Sequence, residues 1–234
     1  MRTARFFVPE EWIAKSAKAF CIPAGALHKQ IIAVLRLKVG DPISLMVGDG
    51  EELDGQISEI TKSAVMGVIA GSKISKPITP SITVCAAMTK RDTFEWTLQK
   101  CTELGVVKFI PLLTDRVIKR PKDTPKRWHD IVREAAEQSG RTTLPNITEP
   151  LSLKEALTYT EKCSRIFFHE TGGVGLPKLH KTSCVALFIG PEGGFSDPEL
   201  ALARAAKAHI VTLGEFVLRA ETAAIVGTTL LRFA

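Results

Sequence analysis

Apolar residues in the first third of the chain come in short runs broken by turn formers: residues 43–47, then Gly48-Asp49-Gly50, then 53–60 and 65–69. Runs of this length bounded by glycine and aspartate predict β-strands, and a set of them makes a small barrel or sandwich. Residues 28–37 interrupt the set, because Ile31, Ile32, Val34 and Leu35 recur at helical spacing before Gly40 stops the run. Residues 73–80 hold two prolines and no apolar period, which marks a linker and divides the chain into a unit over 1–75 and another over 76–234.

Beyond the linker the pattern changes. Strand-like runs at 82–88, 106–113, 165–169, 185–189 and 209–213 alternate with helical stretches. Such alternation predicts an α/β layer fold with a mainly parallel sheet. Thr124 is placed to cap a helix with Pro125 at its first position; Trp128, Ile131, Val132, Ala135 and Ala136 follow at helical spacing, and Gly140 ends it. Residues 94–104 form a similar stretch with Gly105 as its stop.

Composition narrows the class only a little. A chain of 234 residues, 45% hydrophobic, buries a core as one large domain or two small ones. The net charge of +6 suits an acidic partner without requiring one. The N-terminal residues lack the apolar core of a signal peptide and no run reaches bilayer length, so a soluble cytoplasmic protein is expected. Five scattered cysteines form no C-x-x-C pair and no histidine cluster joins them; reduced, mostly buried thiols and no metal site are expected.

The segment with most chemistry is the apolar run 185–189 followed by Gly190-Pro191-Glu192-Gly193-Gly194-Phe195-Ser196-Asp197-Pro198-Glu199. Ser196 and Glu199 make a capping box, so a buried strand, a glycine turn and a helix follow in order, at the sheet edge where α/β folds bind ligands. Neither phosphate-cradling spacing, G-x-x-x-x-G-K-[ST] or G-x-G-x-x-G, is present, and Glu192 repels an incoming phosphate. A neutral or cationic ligand with ribose hydroxyls fits better; a plain tight turn is the alternative. A side chain on Gly193 is expected to occupy the space where ligand and backbone meet.

Further on, residues 211–224 leave a strand, cross a polar loop and enter an alanine-rich helix. Arg219, Glu221 and Thr222 cluster at that junction, either as site residues or as an ordinary helix cap. A basic run, Arg116, Lys119, Arg120, Lys122, Lys126 and Arg127, is broken only by Asp123; it is a phosphate-binding surface or a solvated face. Lys90, Arg91 and Arg141 stand at element ends and are expected to face the same groove.

Taken together, these segments resemble the SPOUT methyltransferases, and more closely the RsmE family of bacterial 16S rRNA uridine-N3 methyltransferases. The pattern I-G-P-E-G-G-[FL]-[ST] is met by residues 189–196, and L-G-x-x-[VI]-L-R-x-E-T-A by residues 213–223. Met88-Thr89-Lys90, the stretch 99–106 (QKCTELGV), Glu137-Gln138-Ser139-Gly140-Arg141, and His28 with Val34-Leu35-Arg36 are similar to further family segments. Glu215-Phe216 depart from the family pattern, which has Pro or Lys and then Arg, so a basic contact from that loop is in doubt.

The resemblance implies an N-terminal PUA-like β-barrel that helps bind RNA, then an α/β domain with a deep C-terminal trefoil knot, an exception to the rule against knots. It implies a homodimer with its cofactor cleft near the subunit interface, acting on 16S rRNA within the small ribosomal subunit. S-adenosyl-L-methionine would be held by His169, Gly190, Pro191, Glu192, Gly193, Gly194, Leu213, Gly214, Leu218, Thr222 and Ala223. Arg219 would stabilise charge on the uracil ring, and Glu221 or Glu192 would take the proton or contact cofactor. RNA contacts would fall to Arg36, Lys90, Arg91, Arg116, Lys119, Arg120, Lys122, Arg127 and Arg141. The rival readings are a SPOUT enzyme acting on tRNA or a ribose 2′-hydroxyl, and a non-catalytic ribosome-assembly RNA-binding protein.

Overall fold

The computed structural model describes residues 3–117, 123–176 and 184–233. The described residues fall into two compact units, one running to Pro77 and including Ala136–Thr143, the other formed by the remainder.

In the first unit, β1 (Ala4–Phe7), β2 (Ile13–Ala14), β3 (Ala19–Pro23), the single turn α1 (Ala26–Lys29), β4 (Pro42–Met46), β5 (Glu51–Ile60) and β6 (Ala64–Ile74) follow in order. The strands form one sheet, ordered β1-β4-β5-β6-β3-β2, antiparallel except for the parallel pair β1 and β4. Alternate positions supply its core, with Phe6, Phe20, Ile22, Ile43, Leu45, Ile57 and Val65 all buried. Glu52 is buried among them and accepts hydrogen bonds from Arg5 Nε at 3.1 Å and Ser44 Oγ at 2.5 Å, which offsets the cost of its desolvation.

Strands β4 to β6 fall where the apolar runs place them, although β6 continues to Ile74, into the expected linker. The expected helix over 28–37 is instead α1 followed by a π-wound turn, Gln30–Val34. Ile31 alone is fully buried there, while Val34 is 71% exposed, so the stretch lacks a full apolar stripe to hold it as a regular helix. Strands β1 to β3 carry too few alternations to announce themselves.

In the second unit, β7 (Ser81–Ala87), α2 (Arg91–Glu103), β8 (Lys108–Leu113), α3 (Lys126–Ser139), β9 (Asn146–Ile147), β10 (Leu151–Ser152), α4 (Leu153–Tyr159), β11 (Ser164–Phe168), β12 (Cys184–Ile189), α5 (Asp197–Ala205), β13 (His209–Val211) and α6 (Ala220–Phe233) follow in order; the five expected strands form, and β9, β10 and α4 add to them. Seven parallel strands form its sheet, ordered β10-β8-β7-β12-β11-β13 with β9 beside β8. The fold is therefore α/β with a parallel sheet. Central strands β7, β12 and β11 are buried on both faces, which is why they read as unbroken apolar runs. Phe167 and Phe188 stack across β11 and β12 with ring centroids 4.2 Å apart.

Glycines after α2 and α3 take left-handed dihedrals, φ +88° at Gly105 and +80° at Gly140, and stop those helices. The Thr124 hydroxyl, just before α3, pairs with the Thr148 carbonyl and the Glu149 carboxylate. The expectation of reduced cysteines fails at one pair. Cys163 and Cys184 are disulfide-bonded, because parallel pairing of β11 with β12 sets the two residues side by side where both strands begin. Cys85 and Cys101 are free and buried, and Cys21 is free and exposed.

Helix α6 lies against β7, β12 and α2, and small residues Ala223, Ala224, Gly227 and Thr228 form its buried face. A Cβ on Gly227 would overlap the Phe168 ring and crowd Leu187, so only glycine permits this approach. At the far end Arg232 donates to the carbonyls of Gly105 and Pro80 at 2.8 and 2.9 Å, fixing the helix to the end of α2 and the start of β7. Gly227→Val should lower unfolding free energy by roughly 1–3 kcal/mol through overpacking, read as a reduced urea midpoint with unchanged slope.

Candidate active site

Strand order positions the site. β11 lies between β12 and β13, both later in sequence, and the loops leaving all three strands meet at the carboxyl edge of the sheet. There they enclose a cavity of about 230 Å³. Phe168, His169 and Glu170 come from the end of β11, Ile189, Gly190, Pro191, Glu192 and Gly194 from β12 and its loop, and Thr212 and Leu213 from β13. The segment 216–220 and Ala223 of α6 close it. Apolar walls combine with two carboxylates, Glu170 and Glu192, and one guanidinium, Arg219.

Of the sequence-derived cofactor residues, His169, Gly190, Pro191, Glu192, Gly194, Leu213, Leu218 and Ala223 line this cavity, as does Arg219. Gly193, Gly214, Glu221 and Thr222 do not. A Cβ on Gly193 would meet Arg116 Cδ at 3.3 Å, so that position faces Arg116 and not the ligand space. Gly194 is the member of the loop whose backbone requires glycine: its φ is +69°, and a Cβ there would lie 3.9 Å from His169 Cε1. The sequence reading missed Phe168, Glu170, Ile189 and Thr212, although each sits at or just past a strand end where such residues are expected, and did not single out Phe216 and Val217 in the loop that leads into α6 or Ala220 at its start.

The glycine loop is locked from behind. The capping box forms, with the Glu199 carboxylate accepting from the Ser196 amide at 2.8 Å. Its other oxygen accepts from the Asp115 amide at 3.0 Å, and Ser196 Oγ donates to Asp115 at 2.5 Å. Arg116 donates to the Gly193 carbonyl. The loop after β8 is thereby tied by three hydrogen bonds to the segment that follows β12.

A second cavity of about 1200 Å³ lies on the other side of Pro191 and Glu192, which line both. Lys90, Arg91, Arg116 and Arg127, four of the residues assigned to RNA, line it together with Thr89, Phe94 and Trp128. Between two of these cations sits Glu95, which the sequence reading did not single out. Its side chain is 10% exposed and accepts from Arg91 Nε at 2.8 Å and from Arg127 Nε at 2.8 and 2.9 Å. Burial raises its pKa, but the two guanidiniums outweigh that and leave it below the ordinary carboxyl range.

The remaining RNA assignments scatter. Arg141 is buried at 9% exposure, and Arg36 is exposed in the first unit with φ +54°. Lys119, Arg120 and Lys122 lie outside the described residues.

Residues 76–232 match the family model of the RNA methyltransferase domain, which defines the class of this fold and site. Ribosomal RNA small subunit methyltransferase E of Rickettsia conorii is 33% identical over 82% of this chain and 80% of its own length. The protein of that name from Synechocystis sp. is 33% identical over 81% of this chain, which spans 65% of that relative. A crystal structure of ribosomal RNA small subunit methyltransferase E from Neisseria gonorrhoeae, bound to S-adenosyl methionine, superposes with a TM-score of 0.88 at 27% identity, covering 98% of this chain and 97% of that one. This chain belongs to the ribosomal RNA small subunit methyltransferase E family.

Glu199→Gln should cost about 1–3 kcal/mol, since its amide nitrogen would face one of the two backbone donors that the carboxylate now satisfies. Urea denaturation of variant and wild type measures the difference; equal midpoints would show that the loop does not depend on this carboxylate.

Proposed function

We propose that this chain transfers a methyl group from S-adenosyl-L-methionine to N3 of a uridine in 16S rRNA of the small ribosomal subunit. The observation that carries this reading is the convergence of residues 190–194 and 213–223 on one cavity at the carboxyl edge of the parallel strands. The residues present fit the cofactor. Gly190 leaves no room for a side chain, since a Cβ there would stand 3.2 Å from the Gly194 backbone and 3.3 Å from Phe195. The apolar wall of Ile189, Leu213, Leu218 and Ala223 suits an adenine ring, and Glu170 and Glu192 complement a cationic ligand.

Bound there, the cofactor supplies an electrophilic methyl group on a sulfonium. The chain's own residues hold the two reactants in line and stabilise charge as it develops on the uracil carbonyls. Arg219 has that second role, because a guanidinium stays cationic and offers a rigid fork of donors. Its backbone carbonyl accepts the first helical hydrogen bond of α6, from Ala223 at 2.8 Å, so its position is tied to the helix start.

In this reading the second unit is a SPOUT-type α/β knot with a deep C-terminal trefoil over residues 76–234, and residues 1–75 are a PUA-like β-barrel that contributes to RNA binding. Support comes from the placement of β11 between two later strands, and from the mixed six-stranded sheet of the first unit. The working form is a cytoplasmic homodimer. Among the described residues no helix is long and apolar enough to cross a membrane.

Mapping methylated uridines by mass spectrometry in rRNA from a strain lacking the gene tests the reading: one 3-methyluridine of 16S rRNA should vanish and return on complementation. A vanished mark on tRNA or on a ribose would move the chain to the rival acceptor. Gly194→Val should weaken cofactor binding at least tenfold in calorimetry with the protein still folded, since a branched side chain is strained at φ +69°. Arg219→Lys keeps the charge and loses the fork. It should reduce single-turnover methylation on the order of 100-fold while both affinities stay within a few-fold; normal turnover with poor cofactor affinity would make Arg219 a binding residue instead.

A further inference from the structure

We infer that the second cavity receives the acceptor nucleotide itself, an unstacked uridine with its flanking phosphates, and that Glu95 is the positioning residue that sets Arg91 and Arg127 as a phosphate clamp at its wall. The inference rests on the methyltransferase reading above and gives its second substrate a place.

Three observations carry it. First, N3 of uracil lies on the pairing edge of the base, so it reaches a methyl donor only after leaving the stack, and it then needs a pocket adjoining the donor site. The second cavity meets that condition, because Pro191 and Glu192 form a wall common to both. Second, at about 1200 Å³ against about 230 Å³ it is the roomier of the two cavities, which suits a nucleotide with attached chain. Third, the two cavities have opposite chemistry. The second carries four cationic side chains, Lys90, Arg91, Arg116 and Arg127, against the carboxylates Glu95 and Glu192, and it has the aromatic residues Phe94 and Trp128 in its lining. That combination matches a polyanion bearing a flat base.

Glu95 gives the cations their geometry. Arg91 and Arg127 are 68% and 60% exposed, long side chains that would sample many rotamers unaided. Both are gripped through Nε by a carboxylate that is itself nearly buried, which leaves the terminal nitrogens of both forks unengaged by Glu95. Two such forks at a fixed separation are pre-set for phosphate oxygens, so less ordering entropy is lost when RNA arrives.

The shared wall also assigns the proton. Glu192 lines both cavities, Glu170 only the first, Glu95 only the second, and Glu221 neither; Arg219 lines only the first, so it meets the uracil carbonyls where the base edge passes the shared wall towards the donor methyl. As N3 forms its bond to the methyl carbon, the carbon–sulfur bond breaks with its electron pair returning to sulfur, and the imide proton passes to the Glu192 carboxylate. The products are N3-methyluridine, the neutral thioether S-adenosylhomocysteine and a protonated Glu192.

The test uses full-length protein, small ribosomal subunits from the deletion strain and S-adenosylmethionine. Thr89→Trp, which fills the second cavity, should reduce single-turnover methylation at least 50-fold with cofactor affinity unchanged within twofold. Wild-type turnover in this variant overturns the pocket, as does an equal loss of cofactor affinity in a folded protein. Should Thr89→Trp fail to fold, the arginine pair decides. Arg91→Gln with Arg127→Gln should raise KM for subunits and lower the salt slope of binding by about 1.4–1.8, two phosphates' worth; an unchanged slope overturns the clamp. Glu95→Gln should raise KM about fivefold or more with kcat nearly unchanged and both arginines present, and an unchanged KM removes its positioning role. Glu192→Gln should slow the single-turnover step at saturating substrates, and a wild-type rate removes it as proton acceptor. Wild-type protein that methylates no 16S rRNA refutes the proposed function, whereas an active wild type with an equally active Thr89→Trp refutes the pocket alone.

Discussion

A buried carboxylate holds the functional edge of this protein together. Glu199 is 4% exposed, and leaving it there without donors would cost several kcal/mol. It has two backbone donors, the Ser196 amide in its own capping box and the Asp115 amide from the loop after β8. The second bond is what matters for function, because it couples two loops 84 residues apart in sequence. With Asp115 fixed, Arg116 reaches the Gly193 carbonyl, and the glycine loop is clamped on the side away from the first cavity. Pro191 and Glu192 then stand as a partition between two spaces.

That partition separates opposite electrostatic environments over a short distance. On one side carboxylates and apolar side chains favour a cationic, partly hydrophobic ligand; on the other arginines and a lysine favour a polyanion. A protein that brings a sulfonium to RNA gains from keeping these fields apart, since each substrate is repelled from the wrong side. Glu95 works at the same problem locally. It neutralises part of the repulsion between Arg91 and Arg127 and so allows the two guanidiniums to stay close.

Much of this was legible along the chain. The apolar runs located the central strands of both units, and the capping box at Ser196 and Glu199 forms as its spacing implied. The loop at 190–194 and the junction at 213–223 were recognisable because they depend on local conformation: glycines for a tight turn, a cap for a helix. Contacts between distant segments were not legible. Gly193 resembles its neighbours in sequence, yet its missing Cβ points at Arg116, a residue from another loop. Arg141 looked like a surface cation and is buried. Cys163 and Cys184 looked like isolated thiols until strand pairing brought them together. Glu95 looked like an ordinary helix residue because its partner Arg127 is 32 positions away.

The sequence by itself determined where the central strands and the main helices fall, that a glycine loop follows a buried strand, and that an Arg-x-Glu-Thr segment opens the last helix. These properties follow from side-chain periodicity and backbone freedom, which act over a few residues. Only the tertiary structure decided strand order, and with it which loops meet. Setting β11 between β12 and β13 gathers one cavity, and pairing β7 with both β8 and β12 brings Lys90, Arg116 and Glu192 around the other. The physical reason is that hydrogen-bonded pairing between strands is a long-range choice, made by burial of whole faces, and no local pattern encodes it.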